Sequence, residues 1–127
     1  MSDKLYDDGL AVRRAVLGAA YVDRAVENAD AFTRQLQDYV TKHCWGAVWT
    51  RPGLPHKTRS MLNLAMLATI GRMHEFKLHV RGALTNGVSR DEMAEILLQV
   101  GVYAGVPAAV EAFRNAKEVL DEVDRKG

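Results

Sequence analysis

Apolar residues recur along most of the chain with the spacing of amphipathic helices, and no run of alternating apolar and polar positions is bounded by hairpin turns. The pattern predicts an all-α fold. We expect a short helix over residues 9–17 that ends near Gly18, and a longer one that begins at about Asn28 and stops at Gly46. The expected apolar face of the longer helix consists of Phe32, Leu36, Tyr39 and Val40.

The second half of the chain carries stronger helix signals. Residues 56–69 are apolar almost all round, which is typical of a helix buried in a core. The following helix is expected to end at the dipeptide Asn86-Gly87, which suits a left-handed cap. Ser89 and Glu92 have the spacing of a capping box and predict the start of another helix. These signals predict about five to six helices in a single compact domain that covers residues 1–127.

Composition and charge narrow the possible partners. The 127 residues are 48% hydrophobic, which is ordinary for one globular domain. Seventeen Lys and Arg against sixteen Asp and Glu give a net charge of +1, so no general positive field attracts nucleic acid or an anionic membrane. The longest apolar stretch, MLNLAMLATIG, is too short to span a bilayer. We therefore expect neither nucleic acid nor membrane as a partner.

Cysteine content and the opening segment bear on the compartment. Cys44 is the only cysteine, so an internal disulfide and a CxxC redox pair are both excluded. The opening segment MSDKLYDDG lacks the basic and apolar regions of a secretory signal. Both observations predict a cytoplasmic protein.

A cluster of charged residues in the segment GRMHEFKLH is the main candidate for chemistry. About 100° of rotation per helical residue places Glu75 and His79, four residues apart, at the margin of a core-facing arc. Arg72 lies one turn earlier on nearly the same side. The arc itself consists of Met73, Phe76, Val80 and Leu84.

Three interpretations of this cluster stay open. His74 and His79 are five residues apart, unlike the two histidines of HExxH, so the segment is not a zincin motif and we predict no metal, while a site completed by residues from elsewhere in the chain stays open. A Glu and a His four residues apart also form ordinary surface ion pairs, which is the simplest interpretation of the local pattern. The third interpretation is a proton-transferring pair. By the same caution, Trp45 and Trp49 are first of all core aromatics.

A series of motifs in a fixed order gives further information. WTRPGL, KTRS, RMHEFKLH, NGVSRDE and YAGVP follow one another as they do in the carboxymuconolactone decarboxylase family, and the chain resembles that family over nearly its whole length. The wider alkylhydroperoxidase-like superfamily includes proteins whose active helix carries CxxC followed by a histidine. Here the corresponding residues are Arg72, Glu75 and His79, so the resemblance implies acid–base and anion-binding chemistry without dithiol peroxidase activity.

The resemblance implies an activity and a set of roles. The expected reaction is the decarboxylation of γ-carboxymuconolactone to β-ketoadipate enol-lactone in protocatechuate breakdown. It needs no cofactor, because the lactone carbonyl accepts the electrons. The expected proton donor is His79, with its pKa raised by Glu75, and the reverse assignment is nearly as good. The residues expected to bind the substrate are Arg72, Arg51, Arg59, Trp45 and Trp49.

The resemblance also implies a homohexamer built as a ring of dimers, with a small dicarboxylate lactone as the ligand. Two alternatives remain at this stage. One is a non-catalytic helical oligomer that senses such compounds. The other is an enzyme that acts on a different carboxylated lactone.

Overall fold

The computed structural model describes residues 3–127, which form seven α-helices and one π-helical segment, with no β-strand among them. The predicted all-α class is confirmed, although the helices are more numerous than the expected five to six. The chain divides into two compact units, one up to Pro55 and the other His56–Gly127. The single domain over residues 1–127 stays a prediction.

The first unit begins with a helix that is longer than its apolar pattern indicated. Helix α1 starts at Lys4, where the Asp3 carboxylate accepts a hydrogen bond of 3.2 Å from the Tyr6 amide. It ends at Leu17, before Gly18, as predicted. The elements of the first unit are α1 (Lys4–Leu17), α2 (Ala19–Glu27), α3 (Arg34–Tyr39) and a π-helical segment (Val40–Trp49).

The predicted helix from Asn28 to Gly46 is wrong at both ends. Helix α2 ends at Glu27, α3 begins only at Arg34, and the helical backbone continues past Gly46 to Trp49. Gly46 serves close packing instead of termination, because a Cβ there would collide with the backbone carbonyl oxygen of Leu5 in α1. The expected apolar face is mostly solvent-exposed, as the exposed fractions of Phe32 (83%), Leu36 (59%) and Tyr39 (63%) show.

A buried arginine joins the helices of the first unit. Arg13 of α1 is 6% exposed, and its Nη1 donates to Gln37 Oε1 at 2.9 Å and to Thr41 Oγ1 at 3.2 Å. Burial lowers the pKa of Arg13, because the charged form loses its hydration. The guanidinium therefore ties α1 to α3 and to the π-helical segment through neutral acceptors.

The second unit consists of four helices, three of which follow the sequence prediction closely. Helix α5 ends before Asn86, and Gly87 adopts φ +90° as a left-handed cap requires. Ser89 and Glu92 form the predicted capping box, with bonds of 3.0 and 2.8 Å. The helices are α4 (His56–Ile70), α5 (Met73–Thr85), α6 (Arg90–Ala104) and α7 (Val106–Lys126).

The core of the second unit lies where these helices meet. Phe76 and Val80 of α5 are fully buried, as the predicted arc required, and Met73 and Leu84 pack against them partly buried. Helix α4 is not buried all round, because it packs on α5, α6 and α7 with one side only. The exposed apolar side chains of α4 are Leu62, Met66 and Ile70. Within residues 3–127, no helix is long and apolar enough to cross a membrane.

Candidate active site

His79 lies on α5 where this helix packs against α4. Its side chain is partly buried, between the buried residues Phe76 and Val80 along the helix. Asn63 of α4 lies beside it, with 3.4 Å between Asn63 Nδ2 and His79 Nδ1. An amide nitrogen only donates hydrogen bonds, so Nδ1 accepts in this contact when the ring proton is on Nε2.

The charge state of His79 differs from the sequence expectation. Burial lowers the pKa of His79 to about 4, because the imidazolium would lose its hydration there. The expectation that Glu75 raises this pKa is wrong. Glu75 is solvent-exposed, and among residues 3–127 its carboxylate forms no hydrogen bond or ion pair. The imidazole of His79 is therefore neutral at pH 7 in the ligand-free site.

Arg72, Glu75 and His79 form one stripe along α5, as their spacing of three and four residues predicted. Arg72 is the N-terminal capping residue, and its carbonyl oxygen accepts a hydrogen bond of 2.8 Å from the Phe76 amide. A rise of about 1.5 Å per residue separates Arg72 from His79 by roughly 10 Å along the axis. The stripe thus runs from two exposed charged residues to a partly buried neutral base.

The face of α4 that lies next to His79 carries two polar residues. Arg59 and Asn63 are four residues apart and share a face of α4, and Arg59 is partly buried. His56 is three residues before Arg59 on the same side. Ser60 is fully buried and accepts a hydrogen bond of 2.9 Å from Asn86 Nδ2, which fixes the first turns of α4 against the end of α5.

Two residues of this face were not among the expected site residues. Asn63 interrupts the apolar run MLNLAML, and this interruption was the available signal, since a polar side chain within an apolar helix needs a partner. His56 had no comparable signal, because the residues around it in the sequence form a Pro-rich turn. The structure therefore places Asn63 beside His79 and His56 on the face of α4 that carries Arg59 and Asn63.

Trp45, Trp49 and Arg51 belong to the first unit. The two indole rings stack with centroids 4.8 Å apart at 26°, and the residues are only 4% and 3% exposed. They form a small core with Val16, which accounts for their burial without a substrate. Arg51 is exposed, two residues after the π-helical segment ends. The substrate-binding roles of these three residues stay predictions.

The second unit thus combines a neutral imidazole with two arginines and a carboxylate on adjacent helices. Such a set can bind an anion and donate a hydrogen bond to an oxygen that gains negative charge. Within residues 3–127, no three His, Cys, Asp or Glu side chains lie close enough together to hold a metal ion. The donors suit an organic carboxylate.

Comparison with known proteins identifies similar sequences over nearly the whole chain. The model of the carboxymuconolactone decarboxylase family matches residues 34–118. A 4-carboxymuconolactone decarboxylase of Acinetobacter baylyi is 40% identical over 95% of this chain and 90% of the relative. The nitrosuccinic acid decarboxylase npaB of Metarhizium robertsii is 41% identical over 98% of this chain and 87% of the relative. A 4-carboxymuconolactone decarboxylase of Pseudomonas putida is 49% identical over 32% of this chain and 85% of the relative.

Proposed function

We propose that this chain, which belongs to the carboxymuconolactone decarboxylase family, is a carboxy-lyase that converts γ-carboxymuconolactone to β-ketoadipate enol-lactone in aromatic catabolism. The observation that carries the proposal beyond family membership is His79, a neutral and partly buried imidazole held by Asn63. The predicted family and the predicted decarboxylase class are both confirmed by the relatives.

The reaction can proceed on the electrons of the substrate alone. The bond between the ring carbon and its carboxylate breaks, carbon dioxide leaves, and the electron pair moves through the ring double bond to the lactone carbonyl oxygen. The resulting dienolate then takes one proton on the carbon next to the carbonyl. The protein must therefore bind a dianion, stabilise the dienolate oxygen and provide that proton.

His79 suits the stabilising task in its neutral form. With the proton on Nε2, the imidazole donates a hydrogen bond to the dienolate oxygen as negative charge develops there. Because its pKa is about 4, His79 is a poor source of the carbon-bound proton in the ligand-free site. We therefore assign proton delivery to Glu75, the reverse of the first expectation, since its exposed carboxylate can relay a proton from water to the ring carbon.

The arginines are proposed to hold the substrate carboxylates. Arg59 lies one turn before Asn63 on the same face of α4, which favours it over the more distant Arg72 as the partner of the acetate arm. The departing carboxylate must be held loosely, because tight binding in the ground state would slow its loss. Arg72 is proposed to attract the dianion from the exposed end of the stripe, and the binding role of Arg51, in the first unit, stays a prediction.

The direct test is incubation of the purified chain with γ-carboxymuconolactone, with substrate loss and carbon dioxide release measured together. We expect one carbon dioxide per substrate consumed, also after dialysis against a chelator. Glu75→Gln should lower turnover by about a hundredfold or more, as loss of a positioned acid does. Glu95→Gln removes an exposed glutamate on α6 and should leave turnover unchanged. Binding of the lactone without turnover would instead support the non-catalytic alternative.

A second candidate substrate is nitrosuccinate, because the Metarhizium relative is as similar to this chain as the Acinetobacter relative is. Both compounds are dicarboxylates that carry their own electron acceptor, a conjugated carbonyl in one and a nitro group in the other. Measuring kcat/KM for the two compounds on the same preparation distinguishes these assignments. A different carboxylated lactone remains the third alternative, and the same assay applies to it.

We also propose that the chain forms a homohexamer and that it lies in the cytoplasm. Apolar surface on the second unit supports the assembly. Val102 and Tyr103 of α6 are 80% and 85% exposed, and Val106 of α7 is 66% exposed. A cleft of about 500 Å³ between α4 and α6 has no charged residue in its lining, which fits a protein contact better than a dianion. Light scattering over a dilution series should detect a multi-subunit particle, and a stable, fully active monomer would contradict the proposal.

A further inference from the structure

We infer that Ser60 and Asn86 are positioning residues for the candidate site. The hydrogen bond between them holds the start of α4 against the end of α5 and thereby sets how closely the α4 face with Arg59 and Asn63 approaches His79. The catalytic meaning of this inference rests on the proposed function, in which both helices contact one substrate. The positioning itself lies within one compact unit and can be measured without any substrate.

Helices α4 and α5 form an antiparallel pair that is tied at both ends. At one end a short turn connects them, with Gly71 at φ +73° and a hydrogen bond of 3.0 Å from the Arg72 amide to the Leu67 carbonyl oxygen. The start of α4 and the end of α5 are far apart in sequence, so no turn can join them at the other end. There the side-chain bond of 2.9 Å from Asn86 Nδ2 to Ser60 Oγ ties the two helices together.

The tie is rigid on its α5 side. Asn86 is the C-terminal capping residue of α5, and its backbone amide donates to the Gly82 carbonyl oxygen at 3.0 Å. Gly87, in the left-handed conformation, then donates to the Leu84 carbonyl oxygen at 3.1 Å. A side chain on a helix end that is held in this way cannot slide along the helix.

On the α4 side, the bond is enclosed by the core. Ser60 is 0% exposed, so water does not reach its hydroxyl oxygen. An alanine would fill nearly the same space and favours a helix more strongly, so the hydroxyl group of Ser60 contributes through its hydrogen bonding alone. Breaking a bond that is shielded from water costs more than breaking one on the surface, so the tie holds the separation of the two helices closely.

The tie lies close to the candidate site along both helices. Ser60 directly follows Arg59 and precedes Asn63 by three residues, which is a rise of about 4.5 Å. Asn86 follows His79 by seven residues, or two turns, and therefore lies on nearly the same side of α5. His79 is thus held between the connecting turn and the tie. A change in helix separation at the tie is transmitted to the 3.4 Å approach of Asn63 Nδ2 to His79 Nδ1.

The protonation of His79 reports on this separation in the absence of substrate. Burial lowers the pKa of His79 to about 4, and a wider gap between α4 and α5 would hydrate the imidazole and move its pKa towards about 6.5. We expect this rise in Ser60→Ala, measured by NMR titration of the imidazole C–H protons in the complete chain. The signals are assigned by their loss in His79→Gln.

The matched control removes a hydrogen bond elsewhere in the same unit. Ser89→Ala deletes a capping bond of 3.0 Å on α6 and should leave the pKa of His79 unchanged. An unchanged pKa in Ser60→Ala, or the same rise in both variants, would overturn the inference.

Kinetics separate positioning from a loss of stability alone. Ser60→Ala should lower kcat about tenfold with less than about a twofold change in KM, because Arg59 still binds the substrate while His79 is misplaced in the transition state. Ser89→Ala loses a comparable hydrogen bond and should keep the kcat of the wild type. Wild-type kcat in Ser60→Ala, or equal losses in both variants, would contradict positioning.

The partner variant gives the same test from α5. Asn86→Ala removes the donor, and the φ of −86° at this position suits alanine without strain. It should lower kcat as Ser60→Ala does, and the double variant should lose no more than either single one, since both substitutions act through one bond. Losses that multiply in the double variant would overturn the inference. If Ser60→Ala fails to fold, Asn86→Ala takes its place in both measurements.

The inference and the proposed function fail in different ways. A chain that decarboxylates neither candidate substrate, but in which the pKa of His79 rises in Ser60→Ala and not in Ser89→Ala, supports the positioning and overturns the proposed function. An active chain with an unchanged His79 pKa in Ser60→Ala does the opposite.

Discussion

Arg13 in the first unit and His79 in the second are nitrogen bases withdrawn from solvent to different extents, and they are held differently. Arg13 in the first unit is 6% exposed and donates to both Gln37 and Thr41. His79 in the second unit is partly buried and has one ring nitrogen bonded to Asn63. Burial lowers the pKa of both groups, but only His79 thereby becomes neutral near pH 7.

This difference indicates different tasks. The hydrogen bonds of Arg13 join three helical elements, and a guanidinium keeps its charge at neutral pH. His79 has a long contact of 3.4 Å between its Nδ1 and Asn63 Nδ2, and its ring is neutral at pH 7. A charged group that joins several helices stabilises the fold, whereas a partly buried neutral imidazole is suited to chemistry.

The largest expected effect is on turnover. His79→Gln keeps a polar side chain of similar length but removes the imidazole, and we expect kcat to fall by about 10² to 10⁴, the scale for loss of a positioned donor. Arg13→Lys serves as the control in the other unit and should change stability more than kcat. Steady-state kinetics with circular dichroism of both variants decides the comparison. Near wild-type turnover of His79→Gln would show that its burial is structural, like that of Arg13.

The next effect is on the stability of the first unit. Gly46→Ala would place a Cβ against the Leu5 carbonyl oxygen, so the π-helical segment and α1 must separate. We expect a loss of about 3 kcal/mol in the free energy of unfolding. Gly53→Ala is the matched control, because a Cβ there meets nothing within 4 Å, and it should change stability by less than about 1 kcal/mol. Equal effects in urea unfolding would contradict the close packing at Gly46.

Gly87 and Gly46 show how much of the fold could be predicted from the sequence. Gly87 and the capping box at Ser89 are local signals, and both were interpreted correctly because the residues that decide them are neighbours in sequence. Gly46 also resembles a helix end locally. Its function depends on Leu5, which is distant in sequence, so its prediction was wrong.

The candidate site shows the same division. The stripe of Arg72, Glu75 and His79 follows from helical spacing alone and was predicted. The contact between Asn63 and His79 joins two helices and was not predicted. The low pKa of His79 arises from burial by the surrounding fold, whereas sequence spacing suggested only the charge of Glu75. Local geometry was predictable, and the electrostatic environment was not.

The pH dependence of stability is the third expected effect. Unfolded His79 has a pKa of about 6.5 and folded His79 of about 4, so between these values the unfolded chain binds a proton that the folded one does not. Stability therefore falls as the pH decreases from 6.5 towards 4, by about 2 kcal/mol between pH 7 and pH 5. In His79→Gln this part of the loss should vanish, as urea titrations at both pH values can show. An identical pH dependence in wild type and variant would place the pKa of His79 near its ordinary value.

The smallest expected effect tests whether local and long-range determinants can be separated within the second unit. The Ser89 hydroxyl accepts from the Glu92 amide at 3.0 Å, and the Glu92 carboxylate accepts from the Ser89 amide at 2.8 Å. Ser89→Ala removes the first bond and should lower the free energy of unfolding by about 1 kcal/mol, whereas Ser89→Thr keeps an acceptor and should cost less. The contact of Asn63 with His79 lies on α4 and α5, so kcat should not change in either variant. A fall in kcat on loss of the cap would mean that the site depends on α6 as well, and the separation would fail.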